Sequence, residues 1–238
     1  MDPVVLEASD WEFVLANWRF LLLGTVVTIL LTLTSLSLGF LAGFPAGAIE
    51  VYGSGWLREA VTSIGVVLRG TPIVVLIVLF YFGLPLPNLG TLPVLDIGLN
   101  AFLAATLALG LRSAAYQGQV FRGAIQSISE GQMEAARSVG LSKRQAIRHV
   151  IFPQAVRRSI PGFQNEFTIV LKDTSVAFAI GLAELLTRAE RLYLQPGRDT
   201  AVLEVIIVIS AIYFVLTFTT NRTLDRLHER YAVPGGNE

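Results

Sequence analysis

Lys172 and Asp173 stand side by side in a stretch, Gly162 to Leu182, whose other residues are largely apolar. Adjacent side chains on a helix point about 100° apart, so the two cannot easily pair with each other and each needs an external partner. A zwitterionic amino acid would bring one ammonium and one carboxylate, and the hydroxyls of Thr174 and Ser175 could replace part of its water shell. The same Lys-Asp-Thr-Ser run could instead lock its helix to its neighbours. Asn165 and Glu166, earlier in the stretch, are further candidates. Arg69 lies ten residues into an apolar block that opens near Glu59, hence about 15 Å along a helix. An ionised side chain at that depth costs from roughly 3 to over 10 kcal/mol unless it faces a protein partner or a wet cavity. Gly70 and Pro72 weaken the helix there, and irregular backbone at depth is tolerated only where it is buried in protein or lines a cavity. Either Arg69 and Thr71 border a path and meet a substrate carboxylate, or Arg69 pairs with Asp173 or Glu166 or snorkels inward. Arg112 reads as a packing or snorkelling arginine.

Reactive chemistry is poorly provided for. There is no Cys, the two histidines His149 and His228 are isolated, and neither a His-Glu-x-x-His motif nor a Gly-x4-Gly-Lys-Ser/Thr phosphate loop occurs. The residues therefore predict no catalytic site and no metal site. Equal numbers of basic and acidic residues, 18 of each, give no bulk charge for nucleic acid.

The elements that must hold these charges are membrane helices. Of 238 residues 53% are hydrophobic and 15% charged, against about 25% charged in soluble domains. A span needs about 20 mostly apolar residues. Five are expected, over Phe20–Ile49, Ala60 to about Leu84 with Arg69 inside, Leu99–Phe121 with Arg112 inside, Gly162–Leu182, and Thr200–Thr220. The polar segment of about 40 residues between the third and fourth spans is too long for a tight connection and should be a small folded unit. Placing it in the cytoplasm puts Arg58, Arg122, Arg137, Lys143, Arg144, Arg148, Arg157, Arg158, Arg222, Arg226 and Arg230 on that side, against Arg19, Arg188, Arg191 and Arg198 outside. The positive-inside rule then selects an outside N-terminus and an inside C-terminus. The acidic start, with Asp2, Glu7, Asp10 and Glu12, lacks the basic region of a signal peptide, so no cleavage is expected. Gly39, Gly43 and Gly47 put three bare patches on one face of the first span, for a helix contact within the chain or a dimer seam. Trp11, Trp18, Trp56, Tyr81, Tyr193 and Tyr231 flank spans as interfacial anchors.

Within the polar segment, Ser129 is followed three residues later by Gln132, and Ser142 by Gln145, so two capping boxes should open two short helices. The first is expected from about Glu130 to Val139 and the second from Lys143 to about Phe152, where Pro153 should stop it. Gly140 between them suits a left-handed helix end. The second helix puts Ala146, Ile147, Val150 and Ile151 on one side and Lys143, Arg144 and Arg148 toward the other, as in a unit built to dock.

Glu134-Ala135-Ala136, Gly140, then nine residues to Val150, with Phe152 and Pro153 following, resemble the EAA loop of ATP-binding cassette (ABC) importer permeases. Val150 and Phe152 replace the usual Ile and Leu, apolar for apolar. The resemblance extends to Arg69-Gly70-Thr71-Pro72, Ala115-Tyr116, Phe121-Arg122-Gly123, Gly131-Gln132, Pro153-Gln154 and Lys172-Asp173-Thr174-Ser175, which together are similar to the polar amino acid permease subfamily. Gln119 departs from it, because relatives often carry an acidic residue there. The resemblance implies an all-α integral membrane protein of the type I ABC importer permease fold. It would comprise an extracytoplasmic N-terminus over 1–19, a transmembrane domain over 20–222 with its coupling segment at about 123–160, and a cytoplasmic tail over 223–238. It further implies that Glu134, Ala135, Ala136, Gly140 and Pro153 couple to an ATPase. The chain would bind no cofactor, with ATP and Mg on the partner.

Five helices make half a pathway at most, so a second permease copy or a paralogue should pair with this one about a two-fold axis. Two ATPase subunits and an extracytoplasmic substrate-binding protein would complete a multi-pass assembly in the cell inner membrane. The outer turns at Gly83 to Pro93 and Gln195 to Gly197 could touch that binding protein. The competing readings are an importer permease for another small polar solute and a self-sufficient secondary carrier or channel. The latter predicts inverted repeats, and none is visible.

Overall fold

The structure, a computed structural model, describes residues 10–231. The acidic residues Asp2 and Glu7, the last seven residues of the expected tail, and the side chains of His228 and Tyr231 lie outside the described residues. Helix α1 (Asp10–Ala16) leads into α2 (Trp18–Tyr52), followed by α3 (Gly55–Gly70), α4 (Ile73–Gly83) and a two-stranded antiparallel hairpin of β1 (Thr91–Leu92) and β2 (Ile97–Gly98). Then come α5 (Leu99–Gln126), α6 (Glu130–Ser138), α7 (Lys143–Ala146), α8 (Phe152–Asp173), α9 (Leu185–Tyr193) and α10 (Val202–Tyr231).

The bundle is organised on α2 and α5, which pack along most of their length. Gly39, Gly43 and Gly47 make this possible. A Cβ on Gly43 would stand 2.7 Å from the Ala114 carbonyl oxygen, and one on Gly47 would stand 2.5 Å from that of Gly118. The glycine stripe is thus a contact within the chain. Two of the hydroxyls buried in α2 bond back to their own helix, Thr25 to the Leu21 carbonyl at 3.0 Å and Thr32 to that of Thr28 at 2.8 Å, which keeps these two satisfied without water. Helix α8 packs on α5, and α10 packs on α8 through Thr168 to Asn221 (2.8 Å) and Gln164 to Asp225 (2.7 Å).

By length and composition α2 and α10 can each cross a membrane, and α3 with α4 qualifies only as a bent pair. The expected second span is thus bent where Gly70 and Pro72 weaken it. The break falls at Thr71, which precedes a proline and is extended (φ −91°, ψ 130°), and the two helices stand 108° apart. Arg69 therefore sits in the last turn of α3, beside the break, rather than midway along one straight helix.

Two expectations in the polar segment are also corrected. Pro153 does not stop the second short helix: a π-helical turn over Ile147–Ile151, with Phe152 N–H donating to the Ile147 carbonyl, joins α7 to α8 without a break. Proline is tolerated because it falls in the first turn of α8, after the widened turn has shifted the hydrogen-bond ladder. Of the two capping boxes only Ser142–Gln145 closes; Ser129 Oγ accepts from Gly131 instead, and Gln132 Oε1 accepts from Gln154 Nε2 at 3.3 Å. Gly140 adopts the left-handed backbone, with φ +90°. A cluster of Phe44, Phe121, Ile125, Ile128 and Ile151 fixes this end, with Phe44 and Phe121 ring centroids 4.1 Å apart. At the opposite end Arg188, counted above among the outer cations, is 1% exposed and donates to the carbonyls of Ala183 (3.0 Å) and Leu95 (2.6 Å). Helix α10 runs on past Arg222 to Tyr231, so the start of the expected tail continues the helix.

Gly43→Leu should destabilise the purified protein by about 1–3 kcal/mol, since the added side chain meets backbone. Gly123→Ala, on an exposed face of α5 with nothing within 4 Å, should stabilise it by up to about 1 kcal/mol. Thermal unfolding in detergent checks both signs.

Candidate functional site

One turn of α5, from Arg112 to Tyr116, gathers most of the embedded charges. Arg112 Nη1 lies 2.5 Å from Asp173 Oδ2, and its guanidinium carbon lies 5.1 Å from the centroid of the Tyr116 ring. Arg69 Nη1 donates to the Ala115 carbonyl at 2.9 Å, reaching across from the α3–α4 break. The Glu166 side chain, 4% exposed, lies close to Ser113, Arg112 and Asp173. Arg112 Nε is buried and lacks a hydrogen-bond partner among the described residues.

Arg112 is thus not a snorkelling arginine but the ion-pair partner of Asp173, and Arg69 pairs with neither Asp173 nor Glu166. Sixty-one residues separate Arg112 from Asp173, a juxtaposition made by α5–α8 packing and invisible to local spacing. Lys172 and Asn165 are exposed. The hydroxyls are occupied as donors: Thr71 Oγ1 to the Val67 carbonyl (2.8 Å), Thr174 Oγ1 to that of Leu171 (2.7 Å) and Ser175 Oγ to that of Lys172 (2.7 Å). Thr174 is fully buried, while Thr71 and Ser175 are half-buried and keep acceptor lone pairs. The arrangement can hold charged groups of both signs at depth. It offers no activated nucleophile among the described residues.

At the other candidate surface, Glu134, Ala135, Gly140 and Pro153 are exposed, while Ala136 is 6% exposed and packs inward. Val139 stands 78% exposed at the tip between α6 and α7. Lys143, Arg144 and Arg148 point outward, whereas Ala146 and Ile151 are buried and Ile147 and Val150 half-buried, the division the spacing predicts.

Sequence reasoning missed Glu50. It is 4% exposed at the end of α2, where Oε2 accepts from Gln119 Nε2 at 2.7 Å and lies 3.2 Å from Arg122 Nη1. Gln119 is an amide that donates to this carboxylate; an acid there would repel it. The only local signal was that Glu50 ends a thirty-residue stretch with no ionisable side chain, and that Gln119 departs from the subfamily pattern.

Helices of this order, around a bent pair and an exposed short-helix unit, are shared with solved ABC transporters. A crystal structure of an amino acid ABC transporter with histidines matches with a TM-score of 0.80 and 31% identity, covering 94% of this chain and 99% of that one. An inward-facing methionine transporter, MetNI, shares the fold at a TM-score of 0.71, with 20% identity over 92% of this chain and 99% of that one. The chain belongs to the family of binding-protein-dependent transport system inner membrane components, which matches residues 35–231. Among its relatives, the glutamine transport system permease protein GlnP of Escherichia coli (strain K12) is 32% identical over 225 residues, covering 94% of this chain and 98% of the relative. The probable amino-acid permease protein YxeN of Bacillus subtilis (strain 168) is 30% identical over 227 residues, covering 94% and 96%.

Replacing Arg112 by Gln or Asp173 by Asn should each lower the unfolding temperature. The double substitution should cost less than the sum of the two, leaving a coupling of about 1–3 kcal/mol in a thermal double-mutant cycle. Additive losses would show that the two charges do not act as a pair.

Proposed function

We propose that the chain is the permease subunit of an ABC importer for polar amino acids. The observation that carries this reading is the run of amino-acid permease relatives at 30–32% identity over more than nine-tenths of both chains. In this reading five spans within 20–222 form half of the pathway, with 1–19 outside, the coupling segment at about 123–160 inside and 223–238 as a cytoplasmic tail. A second copy or a paralogue supplies the other half. Two ATPase subunits carry ATP and Mg, and a soluble binding protein delivers the amino acid from outside.

The exposed α6–α7 unit is the docking surface for the ATPase, with Glu134, Ala135 and Gly140 at the junction, Ala136 packed behind them and Pro153 at the start of the long helix beyond. Nucleotide-driven closure of the two ATPases moves this unit and thereby tilts α8. At the far end of α8, Asp173 is held by Arg112 and Glu166 is buried beside them. Asp173 and Glu166 attract the ammonium of the amino acid, while Arg69, Arg112 and Lys172 attract its carboxylate. Thr71, Thr174, Ser175 and Asn165 supply further polar groups along this path. Opposite charges already in contact lower the desolvation cost of the empty path, and the zwitterion takes their place when it enters.

In proteoliposomes of the complete transporter, Glu134→Ala or Gly140→Val should reduce coupled uptake at least tenfold, about 1.4 kcal/mol, with insertion of the permease intact. Coupled ATP turnover retained in both variants would defeat the docking assignment. Arg69→Gln and Lys172→Gln should abolish uptake while the complex still assembles, as seen by copurification of the ATPase. Orientation is read separately. The chain has no Cys, so a cysteine placed at Val139 should be labelled by an impermeant maleimide only after the cytoplasmic face is opened.

A further inference from the structure

Two cavities meet at Glu50, on the same end of the bundle as α6 and α7. The larger, about 560 Å³ and open to the surface, lies where α2 ends and α3 begins. Glu50, Ser54, Arg58, Glu59, Thr62 and Arg122 line it. The smaller, about 170 Å³, runs between α2, α3 and α5 and is walled by Ala42, Ala46, Ile64, Leu68, Leu111 and Ala114. Glu50 is the sole carboxylate common to both, and both of its hydrogen bonds fall on one oxygen, Oε2. Arg58 and Glu59 are exposed and form no ion pair among the described residues. Beside the mouth Trp56 is 78% exposed and Leu57 43% exposed, side chains suited to the level where bilayer meets water.

We infer that this pair of cavities binds a phospholipid with a primary-amine headgroup, phosphatidylethanolamine in chemical class, the headgroup in the polar chamber and an acyl chain entering the aliphatic slot. Charge complementarity selects the headgroup. Its phosphate meets the guanidinium groups of Arg58 and Arg122 and the hydroxyls of Ser54 and Thr62, while its ammonium meets Glu59 and Glu50. A purely anionic headgroup would face two carboxylates. A quaternary choline has no N–H to donate to them. The slot argues for an amphiphile over a free amino acid, since a zwitterion would be stripped of water there with no polar partner. The inference does not depend on which solute is carried.

The test uses the complete transporter in nanodiscs of matched acyl composition, with lipids that stay bound counted by native mass spectrometry. Phosphatidylethanolamine should be retained about tenfold over phosphatidylcholine and phosphatidylglycerol, equivalent to one charge-assisted pair. Arg58→Gln with Glu59→Gln, both at exposed positions, should bring it down to the phosphatidylcholine level without disturbing assembly. Ala42→Phe, which fills the slot and leaves the charges alone, should also lower retention. Equal retention in the wild type and both variants would overturn the proposal. So would displacement of the lipid by millimolar amino acid, which would make the chamber part of the solute path, or cross-linking of a cysteine at Thr62 to a second permease copy, which would make it a subunit contact.

Discussion

Everything else in the fold leans on the close approach of α2 and α5. Glycines at four-residue intervals on α2 let the two backbones come within van der Waals contact, and α5 answers with Ala114, Gly118 and the small side chain of Ser113. In lipid the hydrophobic effect offers little to hold helices together, so association falls to dispersion and interhelical hydrogen bonds, both of which reward short distances. With α5 fixed against α2, its charged turn is presented at one depth. Arg69 from α3, and Glu166 and Asp173 from α8, are then drawn to that turn.

Burying those charges is tolerable because almost none is left alone. Arg112 is matched by Asp173 and a ring face, Arg69 by a carbonyl, and Glu50 by an amide and Arg122. Arg188 follows the same logic at the other end, where two carbonyls and the ring of Phe20, 4.7 Å from its guanidinium carbon, accommodate a cation in place of a carboxylate. Such contacts confer little net stability compared with an apolar core, yet removing one partner strands the other in a medium that cannot solvate it. The residues proposed to line the path are therefore also the ones that hold helices together.

Much of this was legible in the residue order, and the remainder fails for identifiable reasons. The long helices, the short-helix unit and the left-handed Gly140 follow from local rules of hydropathy, capping and glycine backbone freedom. The break after Gly70 was signalled by Gly-Thr-Pro, but its 108° angle is set by packing of α4 against α5, which no local rule specifies. Pro153 misled because a proline normally ends a helix, and the competing solution, a π turn placed just before it, is a tertiary accommodation. Arg112 with Asp173 and Glu50 with Gln119 are pairs separated by 61 and 69 residues, so their meeting depends on which helix faces which.

That π turn has a mechanical corollary. Lys143 through Asp173 is one continuous helical run, with Pro161 inside it, about 46 Å along its contour at 1.5 Å per residue, so the turn at Gly140 and the carboxylate of Asp173 flank a single element. A swing of about 5° carries one end of such an element some 4 Å relative to the other, on the order of the breadth of an amino acid backbone. A helix that had stopped at the proline would have dissipated that stroke in a loop.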